Sequence, residues 1–476
     1  MMMRKHVRAK IVLPCLAVLL VFPGMAFGDS GKQKIKKIIH SPALESTNTG
    51  IKVISLASGK TLFEENGSKL FIPASNEKII TAYGALKVLP STFTFPVEFS
   101  TDSLIDSNTV HNLYIREYGD PSVTLADVNF QAMALSEKIK LVTGDIIVDA
   151  SYFDSLQFGR GWMWDDGISS WNAPISPYAV NGNCIDIRIS PGVKTGSPVS
   201  VRTVPLTGYA VAIASMTVTS DYDDVRILRK EAPWGDTFVI SGRVNINCSE
   251  RLWKCAVSRP GLYTGTLFKE LLGRYGVKVN GSAYEAPASS CPVLIERFSS
   301  RSIIEIVRAF VKDSNNLSGE CLLKTMGAQR YGAPGDAAKG IMALQETLNG
   351  IGIKENTYTI ADGSGMSTYN QISPNIMIKI LRAVYDDFSC YPEFAQALSV
   401  AGVNGTLQNR LKTSPAAGNI RAKTGTMSGV SCVSGYIRTR KGEMLAFSIM
   451  MNGCAGPAKP LQDAQDEILK TLWESY

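Results

Sequence analysis

Pro73-Ala74-Ser75-Asn76-Glu77-Lys78-Ile79-Ile80 is the stretch on which the reading of this chain turns. Pro73 opens a helix, and Ile79, Ile80, Tyr83, Leu86 and Leu89 recur at helical spacing until Pro90 stops it. Residues three apart share a helix face, so the Lys78 amine can reach the Ser75 hydroxyl. Ser75 falls in the first turn, where free backbone N–H groups and the helix dipole favour developing negative charge. A lysine pressed among apolar side chains and near another cation, here Lys423, can shed its proton near neutral pH and act as a base. Ser-x-x-Lys is expected by chance about once or twice in a chain of this composition. Here it occurs once, at a helix start that follows an apolar-rich hairpin of Ile51–Leu56 and Thr61–Glu65.

Other hydrolytic chemistries are poorly supplied. Beyond His6 the chain has only His40 and His111, and it lacks a Gly-x-Ser-x-Gly run. No cysteine pair has C-x-x-C spacing, so the sequence offers neither a metal site nor a redox motif, and no cofactor is implied. Two further motifs belong with Ser75 and Lys78. Lys423-Thr424-Gly425-Thr426 precedes a strand-like run, and a lysine on a strand edge beside hydroxyls and a glycine suits a substrate carboxylate. The free edge of such a strand can pair with a peptide. A second Lys-Thr-Gly, at Lys194, follows Pro191-Gly192 and reads as a turn. Ser314-Asn315-Asn316 is weak alone, since Ser46-Thr47-Asn48 and Ser170-Trp171-Asn172 copy its pattern. Ser-x-x-Lys, then Ser-x-Asn, then Lys-Thr-Gly is, however, the active-site order of penicillin-binding proteins and class A β-lactamases.

Around these motifs the chain divides by texture. Arg4, Lys5, Arg8 and Lys10 precede an apolar run from Ile11 to Phe22, and Ala26-Phe27-Gly28 ends in small residues. Residues 1–28 therefore read as a signal peptide, too short in its apolar run to span a bilayer, and Pro14 before Cys15 argues against a lipoprotein. Cleavage after Gly28 leaves a net charge of +3, four below the +7 of the whole chain, which gives no reason to expect nucleic acid. Lys32, Lys34, Lys36 and Lys37 read as a solvated lead-in. Eight cysteines remain, with Cys248 and Cys255 the closest-spaced candidates for a disulfide. From Pro96 to Ile295, β-branched runs at 145–148, 184–189, 199–204, 211–218 and 238–246 alternate with turn residues, so this stretch reads as a strand-rich insertion. Helical periodicity returns from Arg301. Val430–Thr439 and Met444–Met451 form a last hairpin, and Leu461–Glu474 a closing helix.

With the three motifs in order, the chain resembles the low-molecular-mass class C penicillin-binding proteins, the D-alanyl-D-alanine carboxypeptidase/endopeptidase family. The resemblance runs from about residue 40 to the C-terminus. It includes Gly119-Asp120-Pro121, the Trp162–Asn181 stretch, Asn316-Leu317 leading to Glu320, Asp362-Gly363-Ser364-Gly365, Gly405-Thr406-Leu407 and Arg421-Ala422-Lys423. Ser314 lies 236 positions beyond Lys78 (314 − 78), a long interval that marks the family, whose members carry there two extra domains, one nested in the other.

The resemblance implies an α+β fold: a serine β-lactamase/transpeptidase-like domain, an antiparallel sheet with helices, split by a β-rich two-part insertion. Its divisions would be 1–28 signal peptide, 29–95 and 296–476 transpeptidase-like domain, 96–188 and 270–295 insertion, and 189–269 nested β-rich domain. It implies an exported serine-type D-Ala-D-Ala carboxypeptidase or endopeptidase, periplasmic or extracytoplasmic at the cell wall. Its partners would be peptidoglycan stem peptides and β-lactam inhibitors, with no membrane-spanning segment after signal cleavage.

Carried onto matching positions, Ser75 is the nucleophile, Lys78 its base and Ser314 the relay that passes a proton toward the leaving D-alanine. Asn316 contacts the peptide amide, and Lys423, Thr424 and Thr426 hold the terminal carboxylate. The backbone N–H groups of Ser75 and Thr426 form the oxyanion hole. Many relatives carry Arg where Thr368 stands, which in some binds the charged end of a diaminopimelate side chain. A β-lactamase or esterase, or a silent peptidoglycan-binding protein, are the competing expectations.

Overall fold

The computed structural model describes residues 26–288 and 292–476; the signal-peptide reading, apart from its last three residues, falls outside them, as does Cys291. At its centre is a six-stranded antiparallel sheet in the order Ser399–Val400, Ile420–Met427, Val430–Arg438, Met444–Asn452, Asn48–Ser55 and Thr61–Glu65. Strand alternation explains its two dry faces. Val430, Cys432, Tyr436, Ala446 and Met450 point into a core built with the helices Glu77–Val88, Ile303–Asp313, Asn316–Tyr331, Ala337–Gly350 and Pro374–Asp386. The alternate residues Val433, Ile437, Leu445, Phe447, Ile449 and Met451 point the other way, onto the helices Ala26–Ile39 and Lys459–Ser475. Each large side chain buried this way contributes about 1.5–3 kcal/mol, so covering both faces fixes the register of the strands that carry the site.

The helix Glu77–Val88 lies at the heart of the first core. Every residue from Glu77 to Ala85 is buried, which is why its apolar positions run all round rather than in one stripe. Gly84 is where the helix Ala337–Gly350 crosses it: a Cβ there would stand 2.1 Å from Leu344 Cδ2. The basic lead-in is a packed helix instead. Lys32, Lys34, Lys36 and Lys37 are exposed as expected, but Ile35 and Ile39 are buried in the second core. All described cysteines beyond residue 28 are free thiols, Cys248 and Cys255 included.

The intervening stretch is not purely of strands. Its five-stranded sheet runs Ala283–Glu285, Ile146–Asp149, Leu113–Glu117, Thr94–Thr101, Val293–Ser302. The helices Leu125–Lys138 and Pro260–Arg274 share its core through Val128, Leu135, Leu267 and Phe268. Thr124 caps the first of these helices with a reciprocal Thr124–Asp127 capping box, a start signal that was present in the sequence. Cys184–Ser190 pairs with Arg251–Ala256 and Ser200–Val204, while Ala210–Thr219, Asp224–Ala232 and Gly235–Asn245 make a third sheet. Lys194 sits on an exposed turn between strands of this part, as expected. The insertion is seated on the helix Asn316–Tyr331 through Tyr152, Phe153, Ile175, Leu317 and Cys321, and through the buried Lys324, which bonds Asp154 and the Leu156 carbonyl.

Candidate active site

Ser75 stands in a short 3-10 turn, Ala74–Asn76, that leads into the helix Glu77–Val88. The turn is tight enough to hold Ala74 at φ +46, a left-handed conformation that a residue with a Cβ adopts only where its surroundings enforce it. Two glycines allow this. A Cβ on Gly365 would meet the Ala74 carbonyl at 2.0 Å, and one on Gly425 would meet Pro73 O and Ser75 N at 2.8 Å. The strand Ile420–Met427 thus lies with bare backbone directly against the Ser75 turn. Its free edge runs from Lys423 to Met427, because the neighbouring strand pairs only with Arg421 and Ala422.

Lys78 Nζ lies 2.9 Å from Ser75 Oγ, 2.7 Å from Asn316 Oδ1 and 2.6 Å from the Ser364 carbonyl oxygen. Lys423 Nζ lies 2.9 Å from Ser314 Oγ and donates to the Thr424 carbonyl at 2.7 Å. Thr424 Oγ1 donates to Thr406 Oγ1 at 2.7 Å. Ser314 occupies the joint between the helices Ile303–Asp313 and Asn316–Tyr331 at φ +58, ψ +38, while Asn315 caps the second by accepting from Ser318 N. This left-handed joint turns Ser314 and Asn316 to the same cleft. The cleft encloses about 620 Å³ and is lined by Ser75, Met163, Asp166, Trp171, Ser314, Asn316, Met366, Thr368, Thr426 and Ser428. All three motifs therefore meet in one place. Lys423 is wholly buried behind Ser314, and neither it nor Thr424 lines the cleft.

Beneath Lys78 lie three buried carboxylates: Glu77, Glu320 and Asp362. Asp362 accepts from Trp162 Nε1, Ser364 Oγ, Asn370 Nδ2 and the backbone N–H groups of Gly365 and Ser367. These donors fix the Asp362–Ser367 turn and so hold the Ser364 carbonyl against Lys78. Burial pushes the Glu320 carboxyl up to about 8, helped by the Asp362 charge. Burial likewise raises Glu77 well above the usual carboxylate range, with Asp362 and then Glu320 adding to it. Lys78 is lowered from 10.5 to about 8 by burial, against the pull of Asp362, Glu320 and Glu77. Both expected causes are present: removal from water is the larger one for Lys78, and the two amines repel each other. Lys423 itself falls well below its ordinary value, first by burial and then by repulsion from Lys78.

Sequence reasoning missed several contributors. The Ser364 carbonyl and Thr406 lay inside quoted motifs but received no role. Trp171 belonged to one of the discarded Ser-x-Asn copies, yet its carbonyl accepts from Asn316 Nδ2 at 3.0 Å and its side chain lines the cleft. Among the described residues no group of His, Cys, Asp and Glu is arranged to hold a metal ion.

Residues 31–472 match the model of the D-Ala-D-Ala carboxypeptidase 3 (S13) family. The chain is 31% identical over 495 aligned residues to a D-alanyl-D-alanine carboxypeptidase of Actinomadura sp. (strain R39), covering 99% of this chain and 90% of that protein. Its fold is similar to that of penicillin binding protein 4 (dacB) from Haemophilus influenzae, with a TM-score of 0.81 at 22% identity over 94% of this chain and 99% of that one. The same protein complexed with a novel β-lactam gives a TM-score of 0.76 at 21% identity, over the same shares of both chains. A family match across almost the whole length, with all three motifs gathered around one cleft, settles the assignment: the chain belongs to the D-Ala-D-Ala carboxypeptidase 3 (S13) family, a family of serine peptidases.

Proposed function

We propose that Ser75 is acylated by the D-alanyl-D-alanine end of peptidoglycan stem peptides, with Lys78 as the base. One observation carries this reading. Asn316 Oδ1 and the Ser364 carbonyl can only accept hydrogen bonds, and both lie within 2.7 Å of Lys78 Nζ. A neutral amine has two hydrogens, and those two acceptors take both. Its lone pair is then left for the third neighbour, the Ser75 hydroxyl at 2.9 Å. The nucleophile and its base are thus in the relation that acyl transfer needs.

In the reaction, Ser75 Oγ attacks the carbonyl carbon of the penultimate D-alanine while its proton moves to Lys78 Nζ. The oxyanion forms between the backbone N–H groups of Ser75 and Thr426. Collapse breaks the C–N bond, and the departing D-alanine nitrogen takes a proton through Ser314 Oγ. Water then cleaves the Ser75 ester, with Lys78 as base again. The free strand edge from Lys423 supports pairing with the peptide backbone. Asn316 holds the amide on the other side. Thr426 meets the terminal carboxylate from the cleft wall, while Lys423 and Thr424 act on it from behind through Ser314 and Thr406. Thr368 offers a hydroxyl where many relatives carry an arginine, so an anionic side-chain terminus meets no guanidinium there.

The location is proposed to be periplasmic, after removal of residues 1–28. In support, Arg4, Lys5, Arg8 and Lys10 precede the apolar run from Ile11 to Phe22, and Ala26-Phe27-Gly28 follows it. We also propose the nested domain division, 29–95 and 296–476 around 96–188 and 270–295, around 189–269. Two observations redraw its innermost bounds: Cys184–Ser190 pairs with Arg251–Ala256, and the helix Pro260–Arg274, which 189–269 would cut, packs with the five-stranded sheet, so the innermost unit runs from Cys184 to Ala256. Purified protein given labelled penicillin is expected to carry one persistent adduct on Ser75, absent from Ser75→Ala, and to release D-alanine from a stem pentapeptide. A label mapped elsewhere overturns the site, and rapid turnover of penicillin would favour a β-lactamase.

A further inference from the structure

The cleft has a bare aromatic outer lip. Residues 158–172 form a strap held to the catalytic domain at both ends. Trp162 Nε1 donates to Asp362 at 3.0 Å, and the Trp171 carbonyl accepts from Asn316 at 3.0 Å. Within the strap, Met163 N donates to Asp166 at 3.0 Å and Asn172 Nδ2 to the Gly167 carbonyl at 3.1 Å. A segment tied down so firmly would ordinarily bury its large side chains. Instead Trp164 is 94% exposed, Trp171 57% and Met163 56%. Tyr369, 57% exposed, stands beside Gly161 with the Arg160 guanidinium 5.9 Å from its ring centre. Asp165 is exposed next to Trp164. Met163 and Trp171 already line the cleft, so this lip is continuous with it.

Holding large aromatic planes in water, rather than folding them away, marks a surface prepared for a ligand. The substrate says which ligand. A stem peptide is bonded at its amino end to an N-acetylated amino sugar, which must emerge from the cleft along one of its walls. Sugar rings present C–H faces that lie on the electron-rich faces of indole and phenol rings. Their hydroxyl and acetamido N–H groups suit a neighbouring carboxylate such as Asp165. We propose that the outer lip at Trp164, next to the cleft-lining Met163, binds the amino-sugar portion of the peptidoglycan strand and so distinguishes glycan-linked stem peptides from free ones. This rests on the reading of the cleft as the stem-peptide site.

The test compares a bare stem pentapeptide with the same pentapeptide on its disaccharide, in wild type, Trp164→Ala and Trp164→Phe. Wild type is expected to favour the glycan-linked substrate in kcat/KM. Trp164→Ala should lose that preference by roughly three- to tenfold, the scale of one aromatic contact. Turnover of the bare peptide should be unchanged in both variants, and phenylalanine should restore most of the preference. Equal turnover of both substrates by wild type, or equal loss on both in Trp164→Ala, overturns the proposal while leaving the catalytic reading intact. If neither substrate is hydrolysed, the catalytic reading fails by itself, and a fluorescence titration with the peptide-free disaccharide decides. Saturable quenching in wild type that Trp164→Ala lacks supports the sugar site; no quenching overturns it.

Discussion

Gly425→Ala adds one methyl group at the seam between the strand Ile420–Met427 and the Ser75 turn. The new Cβ would stand 2.8 Å from Pro73 O, 2.8 Å from Ser75 N and 3.0 Å from Asn76 N. All three are backbone atoms, so no side-chain rotation relieves the contact. Ordinary contact begins at 3.4 Å, and the two elements must part by about 0.6 Å, the difference from 2.8 Å. The glycine has no left-handed φ, so alanine suits the strand itself and even gains about 0.4–1 kcal/mol through the unfolded chain. Overpacking costs about 1–3 kcal/mol, and the net loss of stability should be about 1–2 kcal/mol. Catalysis is expected to suffer far more. Separation moves the nucleophile relative to Thr426 and Ser314, and productive sites tolerate about 0.5 Å of error. A misplacement of about 1 Å costs on the order of 10²-fold, which puts the expected drop at roughly ten- to a hundredfold. The assay is the pseudo-first-order rate of covalent labelling by fluorescent penicillin, run beside a thermal melt. Labelling at a near-normal rate would refute the claim that this close approach positions Ser75.

The remaining predictions concern the lysines. Acylation should rise with pH along a limb near 8, because Lys78 is protonated and useless below its lowered pKa of about 8 and neutral above it. Since Glu320 titrates in the same range, the limb belongs to the coupled pair. Glu320→Gln removes a charge that raises Lys78 and should move the limb downward; an unmoved limb would exclude Glu320 from it. Lys78→Arg keeps a cation but cannot lose its proton. It should fold while acylation, measured by penicillin labelling, falls by several orders of magnitude. Lys423→Ala should cost about 1.5–3 kcal/mol in kcat/KM on a D-alanyl-D-alanine peptide, whereas Lys194→Ala should leave it unchanged. The reverse ranking would misplace the site.

The central elements could be read before the structure because their signals were local. Pro73 and Pro90 bracket the helix of Ser75, and the hairpin ending in Met444–Asn452 alternates cleanly between two cores. The two Lys-Thr-Gly runs were separable because proline and glycine surround Lys194 and a long β-branched run follows Lys423. The helices Leu125–Lys138 and Pro260–Arg274 were overlooked among neighbouring strands, although Thr124 and Asp127 form a capping box. Nothing local marks Trp171 or Ser364, which act through backbone carbonyls. A carbonyl carries no residue-type signature, so its role emerges only when distant segments fold together. Burial has the same character: Lys78 is apolar in its surroundings only once helices from both ends of the chain enclose it.

The long interruption has a consequence for how the catalytic sheet comes to exist. Asn48–Ser55 must find Met444–Asn452 across most of the chain, a search whose entropy cost grows with the intervening loop. The insertion shortens that search. Its entry and exit strands, Thr94–Thr101 and Val293–Ser302, pair with each other, and Ile303 N donates to the Phe93 carbonyl at 3.0 Å. Once the insertion has folded, residues 93 and 303 are neighbours and the 209 residues between them (94 to 302) no longer count as loop. The insertion is thus a clasp that roughly halves the loop this pairing must close. A substitution deep within it, remote from Ser75, is then able to delay assembly of the nucleophile's sheet without altering any contact in the finished cleft.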